Sequence, residues 1–226
     1  MFKLESVSYS YQDGIHALRE VVLHVKRGEA VALMGANGCG KTTLLRMLNG
    51  LVFPQSGRYY FDGDQINRKS LHDIQFSKEF HRRVGYVFQN ADAQLFCGSV
   101  EDEIAFGPRQ LQESEEFCRE RVDDCLKLLQ IEHLRRRAPY ALSGGEKRKT
   151  AFACVLALNP DALTADEPLA GLDPASQQKI LELLQSLRAA GKTLIFATHN
   201  EALAKEVADT RVTMEQGRIV DVSPIR

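Results

Sequence analysis

The chain has no tryptophan, and its 226 residues include only seven prolines and five cysteines. Cys39, Cys97, Cys118, Cys125 and Cys154 are odd in number and never spaced as CxxC, which argues against a disulfide framework or a cysteine zinc site and fits a reducing cytosol. Cys118 and Cys125 lie seven apart in a helix-like stretch, share a face, and read as small buried hydrophobes. No apolar run approaches the about 18 residues that a spanning helix needs, and MFKLESVSYS at the start has no apolar stretch of signal-peptide length. A membrane role is therefore expected only through a partner. An excess of one charge is also missing. The 29 Lys and Arg against 30 Asp and Glu leave −1, which removes the global electrostatic case for a nucleic-acid or anionic-membrane binder. What remains is an ordinary globular composition, 44% hydrophobic and 26% charged, long enough for one large domain or a domain with a subdomain.

Residues 2–11 and 18–25 have β character on either side of Gln12-Asp13-Gly14, with Val21, Leu23 and Val25 on one face, and predict an antiparallel hairpin. Ala30 to Met34 is apolar without alternation, as suits a strand buried on both faces. A glycine-rich loop follows, and from Lys41 the pattern turns helical until Asn49-Gly50. Further strands are expected at 57–66 (as a pair), 84–88 and 193–197, with a closing hairpin of 212–214 and 218–222. The polar stretch 90–140 predicts a helical insertion in which Phe117, Arg121, Cys125 and Leu128 share one side of a helix. Helices are also expected at 147–158, after Asp173-Pro174 and at 200–209.

Gly35-Ala36-Asn37-Gly38-Cys39-Gly40-Lys41-Thr42 matches GxxxxGK[ST] between a strand and a helix, the context in which this loop cradles phosphates. Backbone N–H groups and the helix start would hold the phosphates, Lys41 would reach their β and γ oxygens, and the Thr42 hydroxyl would ligate Mg²⁺. Thr43 belongs to the same binding group. Asp166-Glu167, after the modestly apolar Ala162-Leu163-Thr164-Ala165, offers one carboxylate for Mg²⁺ through water and a second as general base; a surface acidic turn is the plain alternative.

Leu142-Ser143-Gly144-Gly145-Glu146-Lys147-Arg148 resembles the signature of ATP-binding-cassette (ABC) ATPases. In the family's order, Tyr11 resembles the adenine-stacking aromatic, Gln89 the Q-loop glutamine, Ala170-Gly171-Leu172-Asp173 the D-loop and His199 the switch histidine. The resemblance covers essentially the whole chain. It implies an α/β fold: a P-loop NTPase (RecA-like) core with an antiparallel β subdomain, about 1–89 and 150–226, and a helical signature subdomain, about 90–149. It also implies ATP sandwiched in a head-to-tail dimer, with Glu167, His199 and Gln89 catalytic. Tyr11, Gly35, Asn37, Gly38, Cys39, Gly40, Lys41, Thr42, Thr43, Ser143, Gly144, Gly145 and Asp173 would bind nucleotide, and Thr42, Gln89 and Asp166 the metal.

Val84 to Phe96 and Ser99 to Pro108 closely resemble the ATPases of energy-coupling-factor (ECF) importers of vitamins, cobalt or nickel. That implies a peripheral subunit on the cytoplasmic face of the cell membrane, with a transmembrane coupling protein and a substrate-binding membrane component as partners. The dimer would be with itself or a paralogue, and Gln94, Leu95 and Phe96 would face the coupler. Three positions depart from the pattern: Ala91 for proline, Glu146 for glutamine and Leu169 for threonine. Arg135-Arg136-Arg137 with Lys147, Arg148 and Lys149 keeps one alternative open, a soluble ABC ATPase acting on nucleic acid or ribosomes. Three arginines are more often a solvated helix end, so no nucleic acid is expected.

Overall fold

A computed structural model describes residues 1–225. In chain order, β1 (Phe2–Ser10), β2 (His16–Val25), β3 (Ala30–Met34) and α1 (Lys41–Leu48) precede β4 (Ser56–Phe61) and β5 (Asp64–Gln65). Then come α2 (Ile74–Arg83), β6 (Val84–Val87), α3 (Val100–Gln110), α4 (Glu115–Leu129) and α5 (Gly144–Leu156). The chain closes with β7 (Ala162–Asp166), α6 (Pro174–Ala189), β8 (Thr193–Ala197), α7 (Glu201–Val207), β9 (Thr210–Glu215) and β10 (Arg218–Pro224).

The strands form an antiparallel sheet in the order β2-β1-β4-β5 and a second sheet in the order β10-β9-β3-β8-β7-β6. In the second sheet only the edge strand β10 runs antiparallel. β3 and β8 are buried throughout, as their unbroken apolar runs require. Their alternate residues feed two cores. Ala30, Ala32, Leu194 and Phe196 pack with the helices of the second half, whereas Val31, Leu33, Ile195 and Ala197 pack with α1 and the antiparallel sheet. α1 is thus enclosed, with Leu44, Leu45, Met47 and Leu48 all buried. β7 tolerates a threonine in this dry setting because Thr164 Oγ1 donates to Gly85 O at 3.0 Å and accepts from Asn49 Nδ2 at 2.7 Å.

One helix was not foreseen and one expectation is corrected. α2 has only a short apolar stripe, buried Phe80 and half-buried Phe76, which is too little periodicity to reveal it; Asp73 starts it by accepting from Gln75 N and Phe76 N, both at 2.9 Å. The buried face of α4 is Cys118, Val122, Cys125, Leu126 and Leu129, and Phe117 and Leu128 are exposed. Arg121 is drawn to the rim instead, where it donates to Ala157 O at 2.9 Å and Leu156 O at 2.7 Å, partnering carbonyls at the end of α5.

Candidate nucleotide site

The carboxyl ends of four adjacent parallel strands supply the site. β3 runs into Gly35, β8 into Thr198-His199, β7 into Glu167 and β6 into Phe88-Gln89. Open α/β sheets place ligands at this edge because loops there can diverge while the strands hold them in register.

Gly35, Gly38 and Gly40 have φ of 141°, 79° and 110°. A Cβ on Gly35 would lie 2.2 Å from Met214 O, and one on Gly40 2.5 Å from Ala17 O, so both backbone angle and contact demand glycine. Lys41 Nζ, buried inside the loop, donates to Gly35 O at 2.7 Å and Ala36 O at 3.0 Å. Neutral carbonyls are weaker partners for an ammonium than phosphate oxygens, which leaves the lysine poised for an anion. Thr42 Oγ1 donates to Asp166 Oδ2 at 2.6 Å. Burial pushes the Asp166 carboxyl above its ordinary range; the Thr42 bond opposes this and the neighbouring Glu167 charge adds to it.

Glu167 leaves the strand at φ 46°, a left-handed backbone that costs a non-glycine residue about 1–3 kcal/mol. The turn is held by Glu167 N donating to Ala197 O at 2.9 Å. It aims a carboxylate that is only 8% exposed, with Oε1 3.0 Å from His199 Nδ1 and Oε2 3.5 Å from Thr198 Oγ1. The His199 ring itself stands largely in solvent. Tyr11 brings its hydroxyl to 3.1 Å from Thr43 Oγ1, accepts from Arg46 Nη1 at 3.4 Å, and meets Tyr9 edge-on at 5.1 Å. A cleft of about 390 Å³ is lined by Tyr11, Asn37, Gly38, Gly40, Lys41, Thr42 and Thr43 on one side and Gln89, Asp166 and Glu167 on the other. Gly35 and Cys39 do not line it: Gly35 follows β3 directly, and the Cys39 side chain, 6% exposed, belongs to the apolar core around α1.

Ser143, Gly144, Gly145 and Asp173 are not part of this cleft. Ser143 and Gly144 are exposed at the start of α5. Ser143 Oγ accepts from Glu146 N at 3.3 Å and Glu146 Oε2 accepts from Ser143 N at 2.7 Å, a reciprocal cap that either glutamate or glutamine can make. The Ser143 N–H holds the Glu146 carboxyl below its usual range. A Cβ on Gly145 would meet Ser176 Oγ at 2.6 Å and Asp173 Oδ2 at 3.3 Å, so the starts of α5 and α6 abut. Asp173 caps α6 through Ser176 N at 3.0 Å. The other departures also have local partners. Asn90 Oδ1 accepts from Asp92 N at 2.9 Å and shapes the turn begun by Ala91, while Leu169 packs against the core.

Two functional groups escape sequence reasoning. Glu103 is buried on the apolar side of α3, where one oxygen accepts from both Phe96 N and Cys97 N. Phe96 is thereby displayed 67% exposed, edge-on to Phe106 at 4.9 Å. A carboxylate amid Val100, Ile104 and Ala105 on a helical stripe was the available signal. Arg148, read above as part of a basic surface, is 5% exposed and donates to Phe88 O at 2.6 Å and Gln89 O at 2.5 Å. The rest of that surface is partly neutralised: Arg135 pairs with Glu101 at 2.8 Å and Asp123 at 2.6 Å, and Lys147 with Asp92 at 2.6 Å.

A glycine loop, a buried lysine, a Thr–Asp pair and a buried glutamate at the sheet's carboxyl edge, with a separate capped signature surface, define an ATP-binding cassette ATPase. The chain belongs to the ABC transporter family, whose model matches residues 18–170. It is 47% identical to the nickel import ATP-binding protein LarO of Lactiplantibacillus plantarum over 226 residues, covering 100% of this chain and 93% of that protein. Among solved structures, cbiO1 of Clostridium perfringens, part of the ABC transporter complex cbiONQ, superposes with a TM-score of 0.85 at 37% identity, covering 99% of this chain and 88% of that one. The ATP-binding cassette MJ0796, solved as a dimer in a post-hydrolysis state with ADP and Pi, gives a TM-score of 0.90 at 30% identity, covering 100% of this chain and 99% of that one.

Proposed function

We propose that this chain is the ATP-hydrolysing subunit of an ECF-type importer, peripheral on the cytoplasmic face of the cell membrane. It works as a head-to-tail dimer, with itself or a paralogue. The observation that carries the reading is the convergence of Lys41, Thr42, Gln89, Asp166, Glu167 and, through Glu167, His199 at one sheet edge. The nickel-import name of one relative supports a transition-metal ion as cargo ahead of a vitamin. Among the described residues no helix is long and apolar enough to cross a membrane, so transport needs a transmembrane coupler and a substrate-binding membrane component. Residues 1–89 and 150–226 serve as core and β subdomain, and 90–149 as the helical part.

In this reading Tyr11 stacks on the adenine, while Asn37 to Thr43 and Gly35 surround the phosphates. Lys41 exchanges carbonyl partners for phosphate oxygens. Among the described residues no cluster of three His, Cys, Asp or Glu could hold a metal by itself. Thr42, Asp166 and Gln89 offer only hard oxygen donors, the set that suits Mg²⁺ when substrate phosphates complete its shell. When bound, Mg²⁺ supplies positive charge against the β and γ oxygens. Glu167, oriented by His199 and Thr198, takes a proton from the attacking water as general base. Ser143, Gly144, Gly145 and Asp173 address the nucleotide of the other protomer, where the start of α5 adds positive potential.

The alternative, a soluble ABC ATPase acting on nucleic acid, is disfavoured by the buried or ion-paired state of Arg148, Arg135 and Lys147. The test is to express the chain beside its neighbouring membrane components. Co-purification from membranes, with ATP-dependent nickel or cobalt uptake by reconstituted vesicles, is expected. A chain that releases phosphate only on adding RNA or DNA would reverse the assignment.

A further inference from the structure

One buried charge has no role in the chemistry above. Arg148 sits one turn into α5, five residues from Ser143, and among the described residues no carboxylate forms an ion pair with it. Its guanidinium is spent on two main-chain carbonyls, those of Phe88 and Gln89. Burying a guanidinium for two neutral acceptors is an expensive way to fill space, because an apolar side chain of similar length would avoid the desolvation cost. What an apolar chain cannot do is grip two successive peptides. A second side chain repeats the grip. Gln94 Oε1 accepts from Phe88 N at 3.1 Å, and Gln94 Nε2 donates to Ala151 O at 3.2 Å. Arg148 and Ala151 are three apart and share a face of α5. Both polar groups of the Phe88 main chain and the carbonyl of Gln89 are therefore tied to one side of the helix whose first turn is Ser143 to Glu146.

We infer that Arg148 is a positioning residue that couples the two ATP half-sites carried by one chain. Gln89 lines the nucleotide cleft of its own protomer, and α5 presents its start to the other protomer's nucleotide. With the Gln89 peptide clamped to α5, a displacement of Gln89 by one ATP is passed to the signature surface that completes the second. The inference rests on the head-to-tail dimer reading of the preceding section. Gln94 is the second strut of the same clamp.

The experiment compares the full chain with Arg148→Met, Arg148→Lys and Gln94→Met. It measures binding of a fluorescent ATP analogue in EDTA, the ATP dependence of steady-state phosphate release, and thermal unfolding. Analogue binding is expected to stay within about twofold, since neither residue lines the P-loop. Charge-assisted hydrogen bonds of this kind correspond to about 10- to 100-fold in an equilibrium or rate, so kcat is expected to fall by that order in Arg148→Met. The Hill coefficient should drop from above 1 in the parent to 1 in the same variant. Arg148→Lys, able to reach one carbonyl, should recover part of both. A purely structural role predicts a lower unfolding temperature with an unchanged Hill coefficient, and that outcome overturns the proposal. If Arg148→Met does not fold, Gln94→Met decides the matter by the same two readouts. A parent chain that stays monomeric with ATP and hydrolyses it without cooperativity overturns instead the dimer reading beneath the proposal.

Discussion

The P-loop cleft and the signature surface differ in how far each is finished within one chain. In the cleft the chemically decisive side chains already have partners: Lys41 on loop carbonyls, Thr42 on Asp166, Glu167 on His199. At the signature, the cap of α5 is complete, yet Ser143 and Gly144 face solvent. In the proposed reading the first region is a site and the second is half of one. A surface so carefully capped and kept free of side chains is one prepared for something that arrives from outside, which is why dimerisation and ATP binding belong together in this reading.

The largest expected effect comes from the cleft. Asp166→Asn keeps the Thr42 hydrogen bond but removes the buried charge, and metal-assisted charge stabilisation worth several kcal/mol makes the loss of phosphate release about 100-fold or more. The same change should raise the unfolding temperature at neutral pH. Burial raises the Asp166 pKa in the fold, so its ionised form costs stability above that pKa, and the cost disappears as pH falls through it. The advantage of the asparagine variant in unfolding temperature should therefore shrink in acid, and an advantage that grows in acid would contradict the assignment.

A smaller effect on the isolated chain, but a complete one on transport, is expected at the face beside the Q-loop. Phe96 is exposed, so Phe96→Asp should leave the unfolding temperature within a degree or two, as surface substitutions do. A carboxylate pressed into an apolar contact costs several kcal/mol, enough to prevent docking on a membrane coupler. Pull-down of the coupler by the variant at parental yield would remove Phe96 from the interface.

The smallest effect concerns the loop cysteine. From sequence alone, Cys39 in the phosphate loop reads either as a thiol whose alkylation blocks ATP binding or as an inert small residue. The structure turns the side chain into the core, so N-ethylmaleimide should label Cys39 slowly in the native chain and reach it on unfolding. Mass spectrometry after brief native treatment checks this. Rapid labelling would show that the loop opens far more readily than its packing suggests.

What could be read in advance follows the same division. Strand, loop and helix around Gly35 to Thr42 were legible because local motif and local periodicity agree there. Ser143 to Glu146 was legible as a cap. Hidden were groups whose role is to join distant segments. Arg148 looked like one more basic residue because its partners are carbonyls 59 and 60 positions away. Thr164 makes its strand look modestly apolar until Gly85 and Asn49, which it satisfies, are placed beside it, and Glu103 gives no local sign of the Phe96 and Cys97 N–H groups that it binds. α2 was invisible for the opposite reason, being a mostly exposed helix anchored only by Phe76 and Phe80.

The central claim is that Glu167 activates water inside a sandwich built from two chains. Glu167→Gln preserves size and hydrogen bonding and removes the base, a contribution of about 10²- to 10⁴-fold. With ATP and Mg²⁺, size-exclusion chromatography beside a phosphate-release assay should show the variant accumulating as a dimer while turnover collapses by that factor. A variant that stays monomeric and hydrolyses ATP near the parental rate would contradict both the base and the sandwich.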